Sequence, residues 1–348
     1  MKKVLRMFAL LLALTLVLGC FAGCAQAPAG DGNAPAANGG DAGPASVFAG
    51  HSDQTYYMIT FYPTLSIWDP CWRGFQAAAA DLGVNVELAG PNSLDIAENV
   101  AAVEQAAALG ATGICVSPLE PVSFIDVINN TIEGGTPVLC FDSDSAESNR
   151  LMYIGTSNYA AGQAGAEELA RQIGGKGQVV IMTMVGQLNH MDRTQGAIDY
   201  LAANYPEIEV VNTLAAGSTS AEAAATFAAA MQAYPDIKGV FSTVATGTLG
   251  VSQTKKELGY DDVVNIGFDT DPSVMALMED GSCTGTIAQN YYVMGYTMLV
   301  QMYCYCNNLI NPYEGWKENN IPATPSNIDT GITVVTAENM HLFMPETE

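Results

Sequence analysis

The sequence predicts an α/β protein of two lobes, each built on a parallel β-sheet, and three observations carry that prediction. At 348 residues the chain exceeds one ordinary domain and suits two lobes with separate cores. Strand-like and helix-like stretches alternate about every 20 to 30 residues, the spacing of βαβ crossovers. Two stretches echo one another: Val138-Leu139-Cys140-Phe141-Asp142-Ser143-Asp144 and Val264-Asn265-Ile266-Gly267-Phe268-Asp269-Thr270-Asp271-Pro272. Each brings Phe-Asp-(Ser/Thr)-Asp to the carboxyl end of an apolar strand, where open α/β sheets place their ligand crevices. One acidic tip per lobe predicts one shared cleft.

In chain order, residues 56–61 form a first strand, and a loop rich in aromatic residues leads to a helix that Asp69-Pro70 opens and Leu82 ends. The stretch 84–88 alternates as a second strand. Ser93 opens a helix on which Ile96, Val100, Val103 and Ala107 recur at three-to-four spacing. A strand at 112–116, a helix at 122–132 and the strand ending at Asp142 follow. The alternation continues with strands at 152–155, 178–182, 209–213, 239–242, 263–268 and 284–287, separated by helices at 160–173, 194–203, 220–233, 249–258 and 273–278. Residues 291–310 form a stretch of twenty without a charge, long enough to span a membrane. Its five tyrosines, Tyr291, Tyr292, Tyr296, Tyr303 and Tyr305, with Gln301, Asn307 and Asn308, favour a buried lobe helix instead. Residues 311–327 are Pro-rich and irregular, and 331–336 is a final strand.

The first residues read as an export leader: Lys2, Lys3 and Arg6, then an apolar run too short for a comfortable span. Val17-Leu18-Gly19-Cys20 and Phe21-Ala22-Gly23-Cys24 each resemble the bacterial lipobox, with Cys24 the preferred lipidation site. That assigns residues 1–23 to a lipoprotein signal peptide. Residues 24–53 are rich in Ala, Gly, Pro, Asn and Asp, without the apolar surface to offset ordering, and are expected to be a flexible tether. The expected location is the outer face of the cell membrane, by a lipid anchor. Basic residues number 12 against 36 acidic ones, for a formal net charge of −24, and removal of the leader takes three of the twelve away. Such a field repels phosphate backbones and excludes nucleic acid as a partner. The cysteines at 71, 115, 140, 283, 304 and 306 show no disulfide framework, and His51, His190 and His341 offer no metal-ligand spacing, so free thiols and no metal are expected.

Catalytic signals are weak. Gly174-Gly175-Lys176-Gly177 lacks the Lys-Ser/Thr ending of a phosphate loop, no Gly-x-Ser-x-Gly elbow occurs, and no cofactor motif is present. Asp142 and Asp269 would serve a glycosidase only as a carboxylate pair with one raised pKa, for which the sequence gives no signal. Binding signals are stronger. Asp271 precedes Pro272 and reads as a helix cap, but Asp142 and Asp269 stand earlier, at the strand tips themselves, and read as ligand contacts. Phe61, Tyr62 and Trp68 cluster at the cleft end of the first strand. Aromatic faces pack against sugar C–H faces while carboxylates accept hydroxyl hydrogens, so a small neutral sugar or polyol fits. The plainer reading, that these aromatics cover the end of the sheet, stands beside it.

From about residue 54 onward the chain resembles the type I periplasmic sugar-binding proteins of ABC importers, the ribose-binding-like group. The matching pieces, in order, are Trp68 with Arg73-Gly74-Phe75; Ile132-Glu133-Gly134-Gly135-Thr136-Pro137-Val138 running into Asp142; Ile154-Gly155-Thr156-Ser157-Asn158 with Gly162 and Gly165; Arg193-Thr194-Gln195-Gly196; Ile266-Gly267-Phe268-Asp269; Asp280-Gly281 with Ile287-Ala288-Gln289; and Thr333-Val334-Val335-Thr336-Ala337-Glu338-Asn339. The resemblance implies two Rossmann-like lobes joined by a three-strand hinge, at 155–157, 289–291 and 323–327. One lobe is then 54–155 plus 290–325, and the other 156–289 plus 326–348. It also implies a monomer without enzymatic activity that serves an ABC permease. By position, Asp142, Asp269 and Gln289 match family ligand residues and Trp68 a stacking aromatic; Ser143, Met191, Arg193 and Thr243 complete the candidate set. Two departures, Ser143 where ribose binders carry Arg and Val244-Ala245 where they carry Asn-Asp, point away from ribose itself. A sensory receptor subunit of the same fold, and a nucleoside or furanose signalling molecule as ligand, are the alternatives.

Overall fold

The apolar strand runs pair into two separate sheets, in a computed structural model that describes residues 50–344 except 311–312, 317–318 and 320. The leader, the lipidation at Cys24 and the tether up to residue 49 lie outside the described residues. The first sheet has the order β2-β1-β3-β4-β5-β11, with β1 Thr55–Ile59, β2 Asn85–Ala89, β3 Gly113–Val116, β4 Val138–Phe141, β5 Tyr153–Gly155 and β11 Asn327–Asp329, all parallel. The second has the order β7-β6-β8-β9-β10-β12, with β6 Gly177–Thr183, β7 Ile208–Ala215, β8 Ile237–Ser242, β9 Val264–Phe268, β10 Gly285–Gln289 and β12 Ile332–Val335. Only β12 runs antiparallel to its neighbour among these strands.

Alternating side chains cover both faces of each sheet, as doubly covered parallel sheets require. In the first lobe Met58, Cys115, Leu139 and Phe141 face α1 (Asp69–Leu82) and α9 (Tyr291–Cys306), while Ile59, Ile114, Val116 and Cys140 face α2 (Ile96–Ala108) and α3 (Ile125–Glu133). In the second lobe Ile181, Phe241, Ile266 and Phe268 pack on α4 (Asn158–Gln172) and α5 (Leu188–Asn204); Val180, Met182 and Val240 pack on α6 (Ser220–Ala233) and α7 (Ala245–Leu258). Short α8 (Pro272–Glu279) puts Met275 and Met278 against Val335 of β12.

Reciprocal glycines set one helix pair in each lobe. A Cβ at Gly74 would stand 2.1 Å from the Tyr292 carbonyl oxygen, and one at Gly295 1.9 Å from that of Cys71, so α1 and α9 touch backbone to backbone. Gly162 and Gly196 do the same for α4 and α5, at 1.9 Å from the Arg193 oxygen and 2.1 Å from that of Tyr159. Any side chain at these four positions would separate the helices.

The chain passes from one sheet to the other at Thr156–Ser157, at Asn290 and at Thr330–Gly331. The third crossing therefore falls after β11, not at 323–327: residues 327–329, expected in the second lobe, pair with Tyr153–Gly155 of the first sheet. That strand, which begins where the irregular stretch ends, is only three residues long, below the length at which alternation is legible. The Arg150 guanidinium secures it, donating from Nη1 to the Ser326 carbonyl at 3.0 Å and from Nη2 to Asn327 Oδ1 at 3.3 Å, while it pairs with Asp144.

Several helix starts differ from expectation for local reasons. Asp95, not Ser93, caps α2, its carboxylate accepting from the Glu98 amide at 2.9 Å. Asp69 does not cap α1, because a 3-10 turn over Ser66–Trp68 runs directly into the helix and leaves Asp69 in helical backbone. Helices α5 and α7 begin at Leu188 and Ala245, before 194 and 249, each without a capping side chain that would have marked the start. Asp271 caps α8 as expected, accepting from the Ser273 and Val274 amides. The uncharged stretch from 291 is the buried lobe helix: Met294, Met298, Leu299, Met302 and Tyr303 enter the first core, and no described helix is long and apolar enough to cross a membrane. Cys71, Cys115, Cys140, Cys283 and Cys304 are free thiols, and burial pushes those of Cys140 and Cys283 up to about 12.

Candidate ligand-binding site

Strand β4 ends at Phe141 and β9 at Phe268, and each is followed by an Asp whose φ is positive, 59° at Asp142 and 69° at Asp269. Asp tolerates the left-handed region better than most residues because its short side chain bonds locally. Both tips are buried, with Asp142 7% and Asp269 6% exposed. A chain of hydrogen bonds joins them. The Tyr291 hydroxyl donates to Asp142 Oδ1 at 3.2 Å, and Gln289 Nε2 donates to the Tyr291 oxygen at 2.8 Å and to Asp269 Oδ1 at 2.9 Å. One acid belongs to each lobe, and the two linking residues flank the crossing at Asn290.

Arg193 is the cation beside both acids. Its Nε donates to Asn158 Oδ1 at 2.8 Å and its Nη1 to the Thr243 carbonyl at 3.0 Å, and its guanidinium carbon sits 3.8 Å from the centroid of the Phe268 ring. No described salt bridge involves Asp142 or Asp269. Burial raises the Asp142 carboxyl to about 6, with the Arg193 charge opposing and the Asp269 charge adding to the rise. Asp269 is raised too, again by burial and against Arg193. His190 stands behind this layer with Nδ1 3.0 Å from the Thr243 carbonyl, and burial together with the Arg193 charge lowers it to about 3, so it is neutral.

A cavity of about 350 Å³ opens in front of Asp142. The first lobe lines it with Phe61, Leu94, Ile96, Glu120, Asp142 and Ser143, and the second with Val185, Gln187, Leu188 and Asn189. Phe61, Asp142 and Ser143 of the candidate set therefore meet at the cavity; Asp269 and Gln289 connect to Asp142 through Tyr291, while Arg193 and Thr243 are hydrogen-bonded to each other. Trp68 differs from expectation. It is 2% exposed, donates from Nε1 to the Phe61 carbonyl at 3.0 Å, and lies edge-on to Phe61, Phe141 and Tyr291 at 5.4, 5.9 and 6.0 Å. It is buried in the first core, and Phe61, which it touches, lines the cavity in its place. Tyr62, in left-handed backbone at φ 48°, and Met191, 49% exposed, are not among the cavity lining.

Sequence reasoning missed Tyr291, Gln187 and Asn189. Tyr291 carries a local signal, two residues past Gln289 on the same crossing; Gln187 and Asn189 carry none, since the start of α5 was unmarked. Among the described residues no His, Cys, Asp and Glu cluster suits a metal ion.

The periplasmic binding protein domain family matches residues 57–308. A sugar ABC transporter sugar-binding protein from Bacillus halodurans is 34% identical with a TM-score of 0.80, over 83% of this chain and 99% of that one. AraP, an arabinose-binding protein from Geobacillus stearothermophilus, is 33% identical with a TM-score of 0.78, over 84% of this chain and 99% of that one. The xylose/arabinose-binding protein XylF from Sulfolobus acidocaldarius is 25% identical over 84% of this chain and 74% of its own length. These relatives are binding proteins, in agreement with the expectation that the chain is not an enzyme. With a family match across both sheets and all but the last crossing, the chain belongs to the periplasmic binding proteins, on the two-lobed type I plan that it shares with these sugar binders.

Proposed function

We propose that this protein is the extracellular solute-binding component of an ABC importer, held at the outer face of the membrane by lipid on Cys24, and that it captures a small neutral sugar or polyol between its lobes. The observation that carries the ligand class is the pair of buried acids joined through Tyr291 and Gln289, with no salt bridge on either among the described residues. Carboxylates accept hydroxyl hydrogens, and an anionic ligand would call for a free bidentate guanidinium, whereas Arg193 commits Nε and Nη1 to Asn158 and Thr243. The names of the relatives, which include sugar and arabinose binders, support the same class. The two-lobed plan supports closure on a ligand that contacts both sides, and the candidate contacts are Phe61, Asp142, Ser143, Asp269, Gln289 and Arg193.

A thermal-shift screen of sugars, polyols, nucleosides, amino acids and anions tests this reading, since a ligand at 100-fold its dissociation constant adds about 2.7 kcal/mol. Stabilisation by neutral polyhydroxyl compounds alone is the expected result; selective stabilisation by an anion overturns it. For the anchor, replacing Cys20 and Cys24 by Ala is expected to release the protein from the membrane fraction. Retention of that variant refutes lipid anchoring.

A further inference from the structure

The Tyr291 phenol is not one of the candidate ligand contacts, yet it stands where the hydrogen bonds from the two acids meet. It is the first residue of α9, directly after the crossing from β10, and α9 packs in the first lobe with Asp142. Its ring cannot swing away: it is buried, edge-on to Trp68 at 6.0 Å, and Trp68 is itself fixed to the Phe61 carbonyl. The Tyr291–Asp142 bond therefore lies within one lobe, whereas its bond from Gln289 spans the crossing to the strand that neighbours Asp269. The first bond thus belongs to one rigid lobe, and the second crosses the hinge between the lobes.

We propose that Tyr291 is a further ligand-positioning residue, whose hydroxyl orients the Asp142 carboxylate toward the cavity and, through Gln289, couples it to Asp269 when the lobes close. This rests on the reading of the two acids as ligand contacts. Beyond Tyr291, the groups facing Asp142 are Arg193 from α5, Asp269 from the end of β9, Cys71 from α1, and Tyr153 from β5, whose hydroxyl donates to the Asp142 carbonyl at 2.8 Å. Tyr291 donates to the carboxylate itself, at Oδ1, and the Ser117 hydroxyl just past β3 also favours its charged form. Loss of the Tyr291 donor removes support from the charged form of Asp142 while the ring and its packing stay.

The test is Tyr291→Phe with two readouts. In the ligand-free protein, carbon-13 NMR titration of the aspartate side chains is expected to show the Asp142 midpoint moved upward. Calorimetry at pH 7 with the best sugar from the screen is expected to show affinity weakened about tenfold, the scale of one hydrogen bond to a charged acceptor. An unmoved Asp142 midpoint overturns the proposal, and so does a moved midpoint with wild-type affinity. If the wild-type protein binds none of the sugars, the proposed ligand class falls, and the NMR titration still decides whether Tyr291 sets Asp142.

Discussion

Asp142 and Asp269 hold the same left-handed backbone at the tips of two different sheets, with φ of 59° and 69°. Left-handed geometry costs an L-residue about 1–2 kcal/mol, and such strain persists where the surroundings over-determine it, most often at functional sites. The Phe before each acid is fully buried in its own lobe's core, which fixes where each tip begins.

Asp269→Asn keeps a side chain that tolerates this backbone and removes the charge. Its affinity for the best screened sugar is expected to fall by at least about tenfold, since a hydrogen bond to a charged group contributes about 1.5–3 kcal/mol. Asp269→Ala is expected to lose the same affinity and about 1 kcal/mol of stability besides, from the left-handed φ. Calorimetry and urea denaturation of the two variants separate these effects.

Asp142 makes stability depend on pH. Its folded pKa is raised from 3.8 to about 6, so its stabilising contribution is complete below pH 3.8 and is lost as pH rises through 6. His190 has the opposite sign: lowered from 6.5 to about 3, it contributes above pH 6.5 and that contribution is lost as pH falls toward 3. Asp142→Asn removes only the first effect. Ligand-free Asp142→Asn is expected to melt above the wild type at pH 7 and level with it near pH 4, while binding sugar more weakly. Melting curves across that range check the crossover.

Asp329 clasps two crossings with one oxygen. Its Oδ1 accepts from the Ser157 amide at 3.0 Å and from the Gly331 amide at 2.9 Å, and the neighbouring Thr156 and Thr330 hydroxyls are buried without partners. Asp329→Ala is expected to free the lobes, giving a larger radius of gyration by small-angle scattering without ligand and a wild-type profile at saturating ligand. Identical ligand-free profiles would count against a clasp.

Gly295 permits the contact between α1 and α9. A methyl group there meets the Cys71 carbonyl at 1.9 Å, so Gly295→Ala is expected to cost about 1–3 kcal/mol of stability by overpacking. Because α9 also carries Tyr291 onto Asp142, sugar affinity is expected to fall with it, as calorimetry on the folded variant would show.

The sequence by itself determined the alternation of strands and helices, the two apolar strands that end in Phe-Asp, the cap at Asp271 and the burial of the uncharged helix from 291. These are legible because periodicity, strand-ending acids and Pro after Asp act within a few residues. Tertiary structure alone decided the rest. Strand β11 is too short to show a period and exists because Arg150 and Tyr153–Gly155 hold it. Trp68 reads from the sequence as a ligand aromatic and is buried in the first core, because Phe61, Phe141 and Tyr291 come from separate elements to pack around it. The bond from Tyr291 to Asp142 joins residues 149 positions apart. Local chemistry chooses which residues end a strand, but which of them share a hydrogen bond is set by how helices and crossings bring distant backbone together, here by glycine contacts that no short-range pattern encodes.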